Sequence, residues 1–324
     1  MQRIRGTTFV HHGVKSIVNS PDSTGMEFWS VNPYVGCEIG CTYCYARYAH
    51  RYVVERTYDG PPESAQPYRE NFERHIFVKQ RQSITNVLDR DLLRVLRKHK
   101  AGKSYPIIIG TATDPYQPAE RRFQITRLIL EKFLDLRNLK LGIITKSSLV
   151  TRDIDTLLEL QSRHELTIYV SLISTSVRII KLFEARSPMP HARLRALHRL
   201  RKAGIKAGII AAPVLPGITD SVLQVDALVA AAQKADAVFV HPSVLRIYPS
   251  VNDRFLPVIE QYFPNLLPRY RAAYQGKRNP PTDYVVAVER RFQRVARKYG
   301  MAIRDPLHSD RAKTVECDIQ LRLL

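Results

Sequence analysis

The chain has 324 residues, 50 Lys and Arg against 30 Asp and Glu, a formal net charge of +20 at pH 7 and four cysteines. Apolar residues make up 44% and charged residues 25%. That balance belongs to a globular protein able to bury a large core, and it excludes a disordered chain and a disulfide scaffold. No stretch approaches 18 apolar residues, which excludes a membrane-spanning helix. Residues 207–218 come nearest and are broken by Pro213, Pro216 and Gly217. The basic N-terminus is followed by no apolar run of a secretory signal, so the expectation is a cytoplasmic protein in a reducing compartment. The positive surplus is spread along the whole chain and points to polyanionic partners such as DNA or RNA.

No internal repeat or low-complexity tract is present. Residues 28–34 read as a short strand running into a cysteine-rich loop. Residues 46–75, polar, aromatic and Pro-containing, read as an irregular insertion. Ser83 is placed to cap a helix whose apolar face is Ile84, Val87, Leu88, Leu92, Val95 and Leu96. Residues 106–111 form an apolar strand, and Ile125, Leu128, Ile129, Phe133 and Leu136 give a helical stripe. Strand 139–145, helix 152–163, strand 166–172, helix 191–203 with its stop at Gly204, strand 205–214 and helix 220–234 follow, and a sixth strand begins at 237–240.

Apolar strands separated by helices of this length call for parallel βαβ crossovers. Six such units predict an α/β fold, a partial (β/α)6 TIM-like barrel rather than a complete eight-fold one. Residues 254–274 and 283–298 read as helices. The expected organisation is an N-terminal extension (1–27), a core barrel (28–250) and a C-terminal helical cap (251–324).

The informative segment is Asn32-Pro-Tyr-Val-Gly-Cys37-Glu-Ile-Gly-Cys41-Thr-Tyr-Cys44-Tyr45. Its spacing is C-x3-C-x2-C. Three thiolates on one tight loop can hold three irons of a cubane 4Fe–4S cluster, and a missing fourth ligand leaves one iron open. Gly36 and Gly40 let such a loop turn sharply. Zinc is the alternative; it would need a fourth ligand such as Cys317 or a His, and the second C-x2-C pair common in zinc sites is missing.

This loop resembles the signature of the radical SAM superfamily, C-x3-C-x-aromatic-C, with Tyr43 in the aromatic slot. The resemblance extends to the spore photoproduct lyase-like branch. It is carried by Asn32-Pro-Tyr, Cys41-Thr-Tyr-Cys-Tyr-Ala-Arg47, Gly110-Thr-Ala-Thr-Asp-Pro-Tyr-Gln-Pro118, Ile144-Thr-Lys-Ser147 and Pro213-Val-Leu-Pro-Gly-Ile-Thr-Asp220. It implies a 4Fe–4S cluster on Cys37, Cys41 and Cys44, with S-adenosylmethionine (SAM) at the open iron. It implies reductive cleavage of SAM to methionine and a 5′-deoxyadenosyl radical that abstracts hydrogen from a substrate. An electron donor such as flavodoxin or ferredoxin, and a DNA or RNA substrate, are implied partners.

Function in parallel barrels collects at the C-terminal strand ends. There Lys146 suits the SAM carboxylate, and the hydroxyls of Thr113 and Ser171 suit its amino or ribose groups; capping of the next helix is the alternative for both hydroxyls. The resemblance implies SAM contacts at these positions, at Tyr45 and at the backbone near Ala212. Tyr43 and Tyr45 match tyrosines proposed to relay a hydrogen atom, and packing against the cofactors is the other reading. Asp114, before Pro115, orders a turn. Glu184 and Arg186 contact substrate, pair with each other or form a surface pair, and His241 is a packed strand-end histidine.

One position departs from the branch. Thr111 stands where spore photoproduct lyase carries a hydrogen-donating cysteine. An O–H bond gives up a hydrogen atom less readily than S–H, so photoproduct repair by that route is not expected. Cys317, in the C-terminal tail, is a substitute donor or a structural cysteine. Two further readings stay open: a non-catalytic nucleic-acid-binding protein with a structural Fe–S or zinc centre, and the same SAM chemistry on a peptide or small metabolite.

Overall fold

The computed structural model describes residues 2–4, 6–57, 71–100 and 105–303. Eleven strands occur among them: β1 (Gln2–Ile4), β2 (Thr7–His12), β3 (Val18–Asn19), β4 (Trp29–Val31), β5 (Tyr34–Val35), β6 (His75–Lys79), β7 (Ile107–Ile109), β8 (Lys140–Thr145), β9 (Glu165–Ser171), β10 (Ala207–Val214) and β11 (Val240–Val244). The uninterrupted apolar stretches become parallel strands because both faces of such a sheet are covered. All three isoleucines of β7 are buried, as are the last six residues of β9.

The main sheet has the order β11-β10-β9-β8-β7-β4-β3. Six strands run parallel in sequence order, and β3 joins the edge antiparallel to β4. The edge strands β3 and β11 do not pair with each other among the described residues, so this is the expected open, partial barrel. The crossover helices Ile125–Phe133, Ile154–Arg163, Pro190–Lys202 and Val222–Lys234 bury their apolar stripes against it. Gly204 has φ of +88°, the left-handed stop expected after the third of these.

Several elements differ from the sequence expectation. Residues 47–57, read as irregular, are a helix (Arg47–Thr57). Its Val54 packs with Phe77 of β6 in a small cluster, a tertiary contact that local polarity conceals. The remainder of that insertion, 58–70, lies outside the described residues. Ser83 is not a cap: the helix spans Arg81–Lys100, and the Ile84 amide already bonds the Gln80 carbonyl. Residues 254–274 divide into helices Pro249–Tyr262 and Leu267–Tyr274, broken at Phe263-Pro264. The sixth strand starts at Val240, where it pairs with Ile209 of β10. Its His-Pro-Ser centre has no strand signature and is held in register by that ladder.

A second sheet, β1-β2-β6-β5, was not foreseen from the sequence. It joins the N-terminal strands to the segment leading into Cys37, since β5 pairs antiparallel with β6 and β2 parallel with it. Gly110 ends β7 with φ of +93° and turns the chain into residues 111–118. A Cβ there would sit 2.5 Å from Pro115 Cδ and 2.6 Å from the Ile144 carbonyl oxygen. Gly110→Ala is therefore expected to lower stability by about 2 kcal/mol or more, combining left-handed strain with backbone overlap. The denaturant midpoint measures this, and an unchanged midpoint would contradict the close approach.

Candidate active site

The cysteine loop is held on three sides. Its Gly36 carbonyl accepts from Thr113 Oγ1 at 2.7 Å and Gln117 Nε2 at 3.2 Å. Gln117 Oε1 accepts from the Glu38 amide at 2.9 Å, and Glu38 accepts in turn from the Ala119 amide at 2.7 Å. The Cys37 amide bonds the Phe72 carbonyl, and the Thr42 amide bonds the Phe183 carbonyl. Only glycine fits at position 36: φ is +86°, and a Cβ would lie 2.7 Å from the His75 carbonyl oxygen.

All nine candidate residues border one cavity at the C-terminal ends of the parallel strands. Cys37, Cys41, Tyr43, Cys44 and Tyr45 come from the loop, Thr113 from beyond β7, Lys146 from beyond β8, Ser171 from β9 and Ala212 from β10. Cys37 and Cys41 are buried and Cys44 half-buried, and none forms a disulfide. Burial pushes the Cys41 thiol up to about 12 and raises Cys37 and Cys44 as well. Such thiols ionise only when a cation stands among them, because an unpaired thiolate away from water is strongly disfavoured. Cys317 lies outside the described residues.

Some strand-end groups are engaged within the protein. The Thr113 hydroxyl donates to Gly36 and accepts from Gln117 at 2.9 Å, so it braces the cysteine loop instead of capping a helix. Asp114 does more than order its turn. It accepts from the Tyr116 amide, from Thr145 Oγ1 at 2.7 Å and from the Lys146 amide at 2.8 Å, tying the ends of β7 and β8 together. Asn32 likewise holds the Ala112 amide at 2.7 Å and the Thr111 hydroxyl at 3.1 Å. Tyr45 donates its hydroxyl to the Thr111 carbonyl. His241 lines the cavity beyond the start of β11.

Glu184 is neither a surface residue nor the partner of Arg186. It is fully buried, and its carboxylate takes hydrogen bonds from Tyr43 and Arg193 and one from Ser187 at 3.2 Å. Lys146 Nζ stands 4.0 Å from Oε1, the oxygen that Tyr43 bonds, and 5.8 Å from the Tyr43 ring centroid. Burial opposes its charge, but Arg193, Lys146 and Tyr43 hold its pKa below the ordinary carboxylate value. Burial likewise opposes the Lys146 charge, yet Cys41 and Glu184 keep that pKa above the usual lysine value. Arg186 reaches the Glu73 carbonyl instead.

Arg193 escaped the sequence reading although a signal was present. It stands three, four and seven residues before Ala196, Leu197 and Leu200, on the buried stripe of its helix. A cation on an apolar stripe needs a buried anion. Its Nε bonds the Pro188 carbonyl and its Nη1 the Ser171 carbonyl, each at 2.8 Å.

This geometry agrees with comparison to known proteins. The family described as the Radical SAM superfamily matches residues 31–228, and the chain belongs to that superfamily. An uncharacterized protein of Mycobacterium tuberculosis is 30% identical over 299 residues, 92% of this chain and 82% of that one. Another from Methanocaldococcus jannaschii is 31% identical over 190 residues, 59% of this chain and 61% of that one. A spore photoproduct lyase variant superposes with a TM-score of 0.65 over 91% of this chain and 81% of that chain at 14% identity, a likeness of fold. Radical chemistry is the reaction class of the superfamily.

Glu184→Gln keeps the side-chain shape and leaves Arg193 as an uncompensated buried cation. We expect a loss of about 3–5 kcal/mol in denaturant unfolding. A loss below about 1 kcal/mol would show that the pair is not charged in the folded protein.

Proposed function

We propose that this chain holds a 4Fe–4S cluster on Cys37, Cys41 and Cys44, binds SAM beside it, and uses it to abstract hydrogen from a nucleic-acid substrate. The observation that carries this reading is the convergence of the three cysteines with Lys146, Ser171 and Ala212 on one cavity. When bound, the cluster and SAM supply the electron and the 5′-deoxyadenosyl radical. The protein orients and shields. Three cysteines without a second C-x2-C pair suit a cubane, where each thiolate takes its own iron, better than a lone zinc.

Lys146 supplies a cation for the SAM carboxylate. The Ser171 hydroxyl and the backbone at Ala212 offer polar partners to its ribose and adenine, and the Tyr45 ring forms a wall. Tyr43 and Tyr45 both donate their hydroxyl hydrogens to acceptors within the protein, Glu184 and the Thr111 carbonyl. This favours a packing and positioning role for them over a relay. The Thr111 hydroxyl is bonded to Asn32. Both its chemistry and this bond argue against return of a hydrogen atom from that position. The +20 net charge supports the nucleic-acid assignment. The reductant would be a flavodoxin or ferredoxin.

Anaerobic reconstitution is expected to load about four irons per chain, and dithionite reduction with SAM to yield 5′-deoxyadenosine. Cys37→Ala, Cys41→Ala or Cys44→Ala should each abolish both; normal iron content in any of them would reject the ligand set. A cluster that assembles and reduces but cleaves no SAM, even with single-stranded DNA or RNA added, would favour the structural-centre reading. Lys146→Ala should weaken SAM binding roughly tenfold or more, the loss of one hydrogen bond to a charged group. Equal SAM affinity in a titration would remove Lys146 from that role.

A further inference from the structure

Two cations line the cavity, Lys146 and Arg246. Lys146 has Glu184 beside it. Arg246, two residues past the end of β11, is half-buried and makes no hydrogen bond or ion pair among the described residues. Asp114 is the only carboxylate among the lining residues, and its oxygens are taken by Tyr116, Thr145 and Lys146. A guanidinium stays charged and offers a planar fork of donors, so a half-buried one without an anion is a prepared anion site. SAM brings one carboxylate, which Lys146 answers. Arg246 is left for a second anion.

The surroundings of Arg246 are aromatic. Its charge lies beside Tyr45 and Tyr248. The Tyr45 and Tyr248 rings are 6.3 Å apart, and Tyr48 stacks on Tyr45 at 6.4 Å and 24°. Arg278 covers the Tyr248 ring at 5.1 Å. The three rings thus form one cluster, Tyr48 40% exposed and Tyr248 buried, with the Arg246 guanidinium beside it on the cavity wall. Stacked aromatic rings beside an arginine are the combination that binds unstacked bases together with their phosphates.

We infer that Arg246 and Tyr45, which border the cavity, together with Tyr48 and Tyr248 clustered on Tyr45, form its substrate side and take one nucleotide unit, its phosphate on Arg246 and its base against the tyrosines. This rests on the nucleic-acid reading above and narrows it. A base reaches a cavity at strand ends only when it is outside a duplex stack, so the substrate is a single strand or a nucleotide turned out of one.

The test is fluorescence anisotropy of a fluorescein-labelled oligothymidylate 12-mer with the reconstituted protein and SAM, across a salt series. Arg246→Ala should weaken oligonucleotide binding at least tenfold, and by a larger factor than it weakens SAM binding. The log–log salt slope should fall by about 0.7, the loss of one phosphate contact on a single strand. Arg246→Lys should recover part of the affinity, and the exposed-ring variant Tyr48→Ala should lose about fivefold or more. Tyr48→Ala keeps the test open should Arg246→Ala not fold. Displacement of the 12-mer by free dTMP at similar concentration would identify a mononucleotide as the source of the same chemistry; its failure to compete would identify a strand.

Wild-type affinity and salt slope in both Arg246→Ala and Tyr48→Ala would overturn the inference and leave the nucleic-acid reading standing. Equal losses of SAM and oligonucleotide binding in Arg246→Ala would assign that residue to SAM and overturn it too. A wild-type protein that ignores the 12-mer and binds an oligoglutamate peptide would overturn both.

Discussion

Glu184 and Arg193 are both fully out of water, and neither could keep its charge there alone. Around this one ion pair the site is assembled. Arg193 brings in the end of β9 through the Ser171 carbonyl, and Glu184 takes the Tyr43 hydroxyl from the cysteine loop. Lys146, at the end of β8, faces the same carboxylate. A helix, two strand ends and the cysteine loop are thus related through a single buried anion. The desolvation cost of the pair is offset only while every donor stays in place, which makes the arrangement all-or-none.

The polar residues at the strand ends divide into two groups by what they touch. Thr113, Asp114, Gln117 and Asn32 spend their hydrogen bonds on backbone and on one another, fixing the cysteine loop against the 111–118 turn. Lys146 and Arg246 present charge to the cavity. The first group makes the second useful, because a rigid loop keeps the thiols and the cations at set separations. Burial keeps the thiols neutral, so folding does not have to gather three negative charges in one place.

How much could be read beforehand follows from where each signal is stored. The parallel strands were legible because Ile107-Ile108-Ile109 and its counterparts are apolar without interruption, a local property. The Arg47–Thr57 helix and the second sheet were not, because their stability comes from contacts such as Val54 with Phe77 that no local pattern reports. The six-strand order was inferable from the right-handed βαβ rule. The site is legible in the sequence only as separate strand-end residues; none of the roles open to Glu184 there, substrate contact, a pair with Arg186 or a surface pair, names Arg193, since sequence proximity says nothing of which way a buried carboxylate turns.

The sequence by itself determined the cysteine loop and the class of the fold. Cysteine spacing and hydrophobic periodicity are chemistry within reach of a few residues along the chain. Tertiary structure alone decided that Thr113 braces the loop, that Glu184 binds Arg193, and that Arg246, with no counter-ion among the described residues, stands beside Tyr45 and Tyr248. Those outcomes depend on which groups lose water together, and that is settled between residues distant in sequence, by the packing of the whole barrel.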